Sequence, residues 1–196
     1  MPDGMNARID PAHEDMCVFR TGPSDGYVSA AAWTRVAIEM SIDLANERGD
    51  ELRPISILLP MAALKDPDLA VACEAGASRV RALPQEIRLD VLDGPLWAEG
   101  AEGFDVLESL RKRGFRLGLD ARQSWRTPMG TLARELFEAA RVSNQDLAHA
   151  EDGLVTKVEA SAAAGIKIIA ENARWQDAAR LLGQGVGYAL APRADA

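Results

Sequence analysis

Short runs of consecutive apolar residues alternate with helix-like segments along most of this 196-residue chain. The clearest runs are I-S-I-L-L at residues 55–59 and I-K-I-I-A at residues 166–170. A strand without a polar face is typical of a sheet that helices cover on both sides. Regular alternation predicts a parallel α/β sheet, and about seven strands with six helices in one domain favour a (β/α) barrel over an open sheet.

The chain is expected to form one domain. Residues 1–14 combine proline, glycine and acidic residues without periodicity, which predicts a flexible tail. The apolar run at residues 16–19 is the first predicted strand, and Ser29 is predicted to cap a helix that runs to about residue 48. Further along the chain, the pattern predicts helices at residues 103–113, 128–138 and 173–182 and strands at residues 87–92 and 139–142. No internal repeat or low-complexity linker interrupts the remainder of the chain, so residues 15–196 are predicted to be a single barrel domain.

Charge and composition exclude several classes of protein. Lys+Arg 22 against Asp+Glu 30 gives a net charge of −8, which disfavours nucleic-acid binding. No stretch approaches the roughly 18 apolar residues of a membrane span, and the polar N-terminus is unlike a signal peptide, so a cytoplasmic location is expected. Cys17 and Cys73 stand alone and are expected to be buried, reduced thiols. The isolated His13 and His149 do not suggest zinc.

The most informative stretch is R-L-G-L-D-A-R-Q-S-W-R at residues 116–126. A predicted strand at 117–119 ends on Asp120 and opens into a loop rich in arginine, and Glu171 ends the strand at 166–170 in the same way. Strand ends are where α/β proteins keep their chemistry. Such acids either contact a ligand or serve the fold, by capping the next helix or by pairing with Arg122, Arg141 or Arg174; the structural role is favoured.

In chain order, four stretches resemble the EAL family of cyclic di-GMP phosphodiesterases. I-S-I-L-L-P-M-A-A-L-K-D-P-D-L (55–69) resembles L-S-V-N-L-S-x-x-Q-L-x-D-P-x-F, and R-K-R-G-F-R-L-G-L-D-A (111–121) resembles L-R-x-x-G-x-x-I-A-L-D-D. I-K-I-I-A-E-N-A-R-W-Q (166–176) resembles V-V-A-E-G-V-E-T-x-x-Q, and G-Y-A-L-A-P (187–192) resembles G-Y-L-F-S-x-P. The resemblance implies a modified TIM (β/α) barrel, incomplete at the N-terminus because the family's first strand has no counterpart.

The same resemblance implies that the metal ligands of active relatives are largely missing. The E-A-L motif corresponds to Met16-Cys17-Val18, and the asparagine of S-V-N-L-S corresponds to Leu58. The second aspartate of the D-D pair corresponds to Ala121, the aspartate after the L-K-I motif to Ser143, and the second glutamate of A-E-G-V-E to Arg174. A thioether does not replace a carboxylate at a hard cation. We therefore expect no metal, no cofactor and no phosphodiesterase activity.

Five positions keep polar residues that would line a vestigial ligand pocket, namely Arg20, Asp93, Asp120, Arg141 and Glu171. By resemblance, Arg20 matches an arginine that contacts a dinucleotide phosphate, although a solvated strand-end arginine is an equal alternative. Arg141 matches the family's lysine and keeps its charge, but arginine is a poor proton donor or acceptor.

The resemblance implies a catalytically inactive, regulatory protein-interaction module of bacterial cyclic di-GMP, motility or biofilm signalling. Its partner would be another protein, and Arg122, Trp125 and Arg126 are the candidate contact residues because aromatic and arginine side chains make good interface anchors. The alternative is a receptor that binds cyclic di-GMP, weakly, without hydrolysing it. A third possibility is an enzyme with unrelated chemistry at the same end of the barrel, but no group of candidate catalytic residues in the sequence supports it.

Overall fold

The computed structural model describes residues 29–47, 53–149 and 152–192. The tail predicted at residues 1–14, the strand predicted at 16–19, Cys17 and Arg20 lie outside these residues. The chain divides between Leu117 and Gly118 into two compact units, which are called the N-terminal and the C-terminal unit below.

The N-terminal unit begins with helix α1 (Ala30–Glu47). The Oγ of Ser29 accepts a 3.1 Å hydrogen bond from the backbone N–H of Ala32, which confirms the predicted N-cap. Helix α1 packs against α2 (Leu69–Arg79). The two helices approach so closely that a Cβ atom at Gly76 would lie 2.9 Å from the carbonyl oxygen of Arg35.

Strands β1 (Ile55–Leu58) and β2 (Ile87–Leu92) pair in parallel, with Ile55 opposite Ile87. Ile57 and Leu89 are fully buried, as expected for strands without a polar face. The other elements of this unit are the three-ten turns Met61–Lys65 and Pro84–Glu86, helices α3 (Asp93–Glu99) and α4 (Ala101–Lys112), and the first residues of β3 (Arg116–Asp120). Helix α3 was not expected from the sequence, which predicted one helix from residue 103.

The C-terminal unit continues from β3 with further βα repeats. It contains α5 (Thr131–Leu136), β4 (Phe137–Ser143), α6 (Asn144–Ala148), α7 (Asp152–Ala163), β5 (Lys167–Glu171), the three-ten turn Trp175–Asp177, α8 (Ala178–Gly183) and β6 (Tyr188–Ala189). Strands β4 and β5 are parallel, with Ser143 opposite Glu171, and β5 and β6 are also parallel.

Several boundaries in this unit differ from the sequence prediction. The helix expected at residues 128–138 is the shorter α5, and the strand expected at 139–142 already begins at Phe137. The buried Phe137 and Leu136 explain the change, because both pack inside the fold on opposite sides of the helix–strand junction. The helix expected at 173–182 begins as a three-ten turn and becomes α8 only at Ala178.

In the strand order, β1 neighbours β2 in the N-terminal unit, and β3, β4, β5 and β6 follow one another in the C-terminal unit. Within each unit, parallel strands place their C-terminal residues along one edge, which is the edge that carries the chemistry in (β/α) folds. Cys73 is a buried free thiol, as predicted. Within the part of the chain that the structure describes, no helix has the length and hydrophobicity required to cross a membrane.

Candidate functional site

Two carboxylates lie at strand ends in the C-terminal unit. Asp120 is the last residue of β3 and Glu171 is the last residue of β5, with β4 between them in the strand order. Their exposed fractions are only 3% and 7%. Buried carboxylates need charged or hydrogen-bonding partners, so their surroundings decide what they can do.

The guanidinium of Arg122 bridges these two acids. Its Nε donates a 2.7 Å hydrogen bond to Oδ1 of Asp120, and its Nη2 donates to Oδ2 of the same residue. Its Nη1 donates a 2.6 Å hydrogen bond to Oε2 of Glu171. All three nitrogens of one side chain are therefore engaged, and Asp120 is held in the two-pronged arrangement that makes arginine–carboxylate pairs strong.

A second arginine completes the cluster from the strand between them. Arg141 lies in β4, is buried, and donates a 3.1 Å hydrogen bond from Nη1 to Oε1 of Glu171. Each carboxylate oxygen of Asp120 and Glu171 thus accepts a hydrogen bond from a guanidinium. The cluster thus pairs two positive side chains with two negative ones, and pairing with Arg122 and Arg141 is among the structural roles that the sequence analysis considered.

The pKa of Arg122 is raised above its ordinary value. Burial of the side chain by itself lowers this pKa, but the hydrogen bonds and negative charges of Asp120 and Glu171 outweigh that effect. The guanidinium therefore stays protonated at every pH at which the protein is folded.

The loop after β3 is held by several contacts. The backbone N–H of Ala121 donates a 2.9 Å hydrogen bond to the carbonyl of Arg141, and the ammonium of Lys157 on α7 donates to the carbonyl of Trp125. The indole of Trp125 is buried, with an exposed fraction of 8%. These contacts fix the start of the loop and its middle.

This geometry corrects the sequence prediction for the contact residues. Trp125 packs inside the fold and Arg122 is engaged by acids of its own chain, so neither is available as an interface anchor. Only Arg126 has an exposed side chain among the three candidates. The sequence does not predict which of these side chains is buried, because a tryptophan in a polar loop can point its ring either into the fold or into solvent.

The remaining candidates of the vestigial pocket are Asp93 and Arg20. Asp93 is a buried residue of the N-terminal unit, where it begins α3 directly after β2. Arg20 lies outside the described residues. The structure thus brings together Asp120, Arg141 and Glu171.

The sequence analysis missed a second buried ionic network, which lies in the N-terminal unit. The Nε of Arg88 donates a 2.9 Å hydrogen bond to Oδ1 of Asp90, and its Nη2 donates a 2.9 Å bond to the hydroxyl of Ser56. That hydroxyl donates a 2.6 Å bond to Oδ2 of Asp90. The signal was the alternation R-x-D within the apolar strand I-R-L-D-V-L, which places both charged side chains on one face of β2.

A polar group that contains Asn144 and Asp177 supports the start of α8. The side chain of Asn144 donates a 3.0 Å hydrogen bond to Oδ2 of Asp177, whose carboxylate also accepts a 2.8 Å bond from the backbone N–H of Arg174. The hydrogen bond from Arg174 lowers the pKa of Asp177, and those from Asn144 and Arg180 add to the effect. Ser143 caps α6 by accepting a bond from the N–H of Asp146.

The residues of the C-terminal cluster do not fit a divalent metal ion. A metal site needs several oxygen or nitrogen donors with free lone pairs directed to one point. Asp120 and Glu171 direct theirs to arginines, and residues 29–47, 53–149 and 152–192 contain no group of three or more His, Cys, Asp or Glu side chains arranged to hold a metal.

No protein-family model matches the chain, and neither does any curated protein. Solved structures match it at low sequence identity. The PaMucR phosphodiesterase in complex with c-di-GMP is 16% identical, with a TM-score of 0.66 over 79% of this chain and 66% of that one. Klebsiella pneumoniae BlrP1 with calcium and cyclic di-GMP is 16% identical, with a TM-score of 0.63 over 81% of this chain and 42% of that one.

The Xanthomonas citri FimX EAL domain in complex with c-diGMP is also 16% identical, with a TM-score of 0.61 over 82% of this chain and 66% of that chain. The chain therefore spans between 42% and 66% of the lengths of these three structures. At such identities the likeness establishes the fold. The chain has the α/β fold of EAL domains, a modified TIM barrel of which it forms a part, as the sequence predicted.

Proposed function

We propose that this chain is an EAL-fold domain that does not hydrolyse cyclic di-GMP and that regulates another protein by binding it, in bacterial cyclic di-GMP signalling. The observation that carries this proposal is the use of every carboxylate oxygen of Asp120 and Glu171 by Arg122 and Arg141. Asp120 and Glu171 therefore pair with arginines of their own chain, at the ends of the strands β3 and β5.

The ion pairs argue against catalysis for a chemical reason. Metal-assisted phosphodiester hydrolysis needs a cation that lowers the pKa of a bound water and neutralises charge on the transferring group. A guanidinium can stabilise charge, but it does not bind and ionise a water molecule. Glu171, the residue in the position of a general base, is already hydrogen-bonded to two arginines.

Exposed aromatic side chains support the protein-binding part of the proposal. Trp175 has an exposed fraction of 63% and Trp97 one of 50%. Each belongs to a different unit, Trp175 to the C-terminal unit and Trp97 to the N-terminal unit. Tryptophan is enriched among the residues that dominate binding energy at protein interfaces, and a folded protein seldom exposes so much of one.

The alternative function is a receptor that binds cyclic di-GMP without cleaving it. Three of the matched structures favour it, because they are complexes with that ligand. The charge balance of the cluster disfavours it, because a dianionic ligand would meet two arginines whose charge Asp120 and Glu171 already neutralise. The cytoplasmic location expected from the composition belongs to both proposals.

A hydrolysis assay and a calorimetric titration separate the functions. Purified protein is incubated with cyclic di-GMP and Mg²⁺ or Mn²⁺, and the linear product is measured by chromatography. We expect no product and no binding heat with or without metal. Binding at micromolar concentration without product would establish the receptor, and product formation that Glu171→Gln abolishes would overturn both proposals.

The protein-binding part has its own test. Tagged wild-type protein and its Trp175→Ala and Trp97→Ala variants are used to capture partners from an extract of the native cell. We expect a specific protein to be retained by the wild type and lost from one of the two variants, with circular dichroism spectra unchanged. If neither variant loses a captured protein, contact through the exposed tryptophans is excluded.

A further inference from the structure

The strand-end cluster raises the question of what keeps two buried carboxylates together. Asp120 and Glu171 accept hydrogen bonds from the same guanidinium, so their oxygens lie within reach of one cation. Two buried carboxylates at such a separation repel one another, and neither is exposed enough for water to screen the repulsion. A positive group between them removes this repulsion and leaves both acids charged.

Divalent cations commonly supply this positive group in proteins, by binding one or two carboxylates and completing their coordination with water. Here the positive group is covalently part of the chain. Arg122 follows Asp120 by two positions, and its backbone N–H also donates to Oδ1 of that residue at 3.3 Å. The side chain is thereby directed from the end of β3 towards the end of β5.

We infer that Arg122 does the structural work of a bridging cation between Asp120 and Glu171, which makes the stability of this cluster independent of divalent metal ions. The inference goes beyond the proposed function, since it concerns what holds β3 and β5 in place. It also predicts that removal of Arg122 uncovers a need for a cation, which Mg²⁺ or Mn²⁺ can meet from solution.

The test compares thermal unfolding of three full-length proteins with MnCl₂ and with EDTA. The wild type is expected to unfold at the same temperature in both. Arg122→Gln is expected to unfold roughly 10 °C lower in EDTA, because a buried ion pair has lost one partner, and to regain a large part of that loss in millimolar Mn²⁺. Arg113→Gln is the matched control, since Arg113 pairs with the half-exposed Glu74, and should shift by less than about 3 °C in either solution.

A double variant identifies the carboxylates as the source of the metal response. Arg122→Gln combined with Glu171→Gln removes the repulsion and leaves a single carboxylate, so Mn²⁺ should no longer raise the unfolding temperature. If Arg122→Gln alone does not fold, it is refolded from urea with and without Mn²⁺. Folding only with Mn²⁺ supports the inference, and failure in both solutions overturns it.

Three further results would overturn the inference. The first is a loss of stability in Arg122→Gln no larger than in Arg113→Gln. The second is a large loss that Mn²⁺ does not restore, which would leave Arg122 as an ordinary ion-pair residue. The third is an unfolding temperature of the wild-type protein that Mn²⁺ raises and that Glu171→Gln makes insensitive to Mn²⁺. Because the readout is unfolding, the inference and the proposed function can fail separately.

Discussion

Arg122 donates a 2.6 Å hydrogen bond to Glu171, a residue 49 positions further along the chain. The contact joins the end of one buried strand to the end of another across the strand between them. Arginine is suited to this position because its planar guanidinium serves two carboxylates at once and keeps its charge at all physiological pH values. The consequence is a strand-end site held together from within the chain.

Glu171→Ala should lower the free energy of unfolding by about 3 to 5 kcal/mol, because it leaves Arg122 and Arg141 as buried cations short of a partner. Unfolding in urea measures the loss. Glu108→Ala is the matched control, since Glu108 pairs with Lys112 at an exposed site, and we expect a change of about 0 to 1 kcal/mol. If both variants lost the same free energy of unfolding, the cluster around Glu171 would contribute no more to stability than an exposed ion pair.

Arg88→Met should destabilise the N-terminal unit by about 3 to 5 kcal/mol, because it removes the cation that accompanies the buried Asp90. Adding Asp90→Leu should recover much of the loss, since an apolar pair in place of a buried ion pair is often neutral or stabilising. Urea unfolding of the single and double variants measures both effects. A double variant less stable than the single one would show that Asp90 has partners that matter more than Arg88.

Gly76→Ala should destabilise the protein although alanine is the better helix former. Its Cβ would lie 2.9 Å from the backbone oxygen of Arg35, and a backbone atom cannot move aside cheaply. We expect a net loss of about 1 kcal/mol after the helix-propensity gain of up to about 1 kcal/mol. Gly183→Ala is the control, because nothing lies near its added Cβ, and it should leave stability unchanged or raise it by a few tenths of a kcal/mol.

Cys73 should react slowly with thiol reagents in the folded protein. Burial, together with the negative charge of Glu74, raises the pKa of its thiol from 9.0 to about 12. The thiolate, which is the reacting species, is then about a thousandfold scarcer near neutral pH. The measurement is the rate of reaction with Ellman's reagent in a Cys17→Ser background, and an equally fast reaction in native and urea-unfolded protein would contradict burial of the thiol.

The same raised pKa predicts a loss of stability in alkali. The folded state holds the thiol proton more tightly than the unfolded state, so this contribution is complete below pH 9 and is lost as the pH rises towards 12. Between pH 8 and pH 10 the expected loss is about 1 kcal/mol. Urea unfolding of wild type and Cys73→Ala at both pH values isolates it, and an equal change in the two proteins would show that other groups cause the loss.

The parts of the fold that depend on local pattern were predictable. The strand at Ile87–Leu92 has the predicted boundaries, and the helix that Ser29 caps is present over Ala30–Glu47. The predicted boundaries of helices and strands were wrong where tertiary packing competes with local helix or strand propensity. Phe137 could extend the helix before it or begin the strand after it, and burial of its ring decides for the strand.

The candidate site was predictable only as a set of residues. Asp120 and Glu171 were recognised because they end apolar strands, and pairing with nearby arginines was the favoured alternative. Which arginines pair, and with how many oxygens, depends on side-chain reach across β4, which no spacing along the chain encodes. Trp125 shows the same limit, since its indole is buried and its carbonyl accepts a hydrogen bond from Lys157, and neither follows from the sequence of the loop.

By itself, the amino-acid sequence determined the alternation of strands and helices and their parallel arrangement, because these follow from the hydrophobic period. The tertiary structure decided what the surviving charges do. Asp120 ends β3, Arg122 follows it, Arg141 lies within β4 and Glu171 ends β5. Only the folded sheet brings the four side chains close enough for each carboxylate oxygen to accept a hydrogen bond from a guanidinium. Ion pairs are strong only over a few ångströms inside a protein, and distances of that kind exist only after folding.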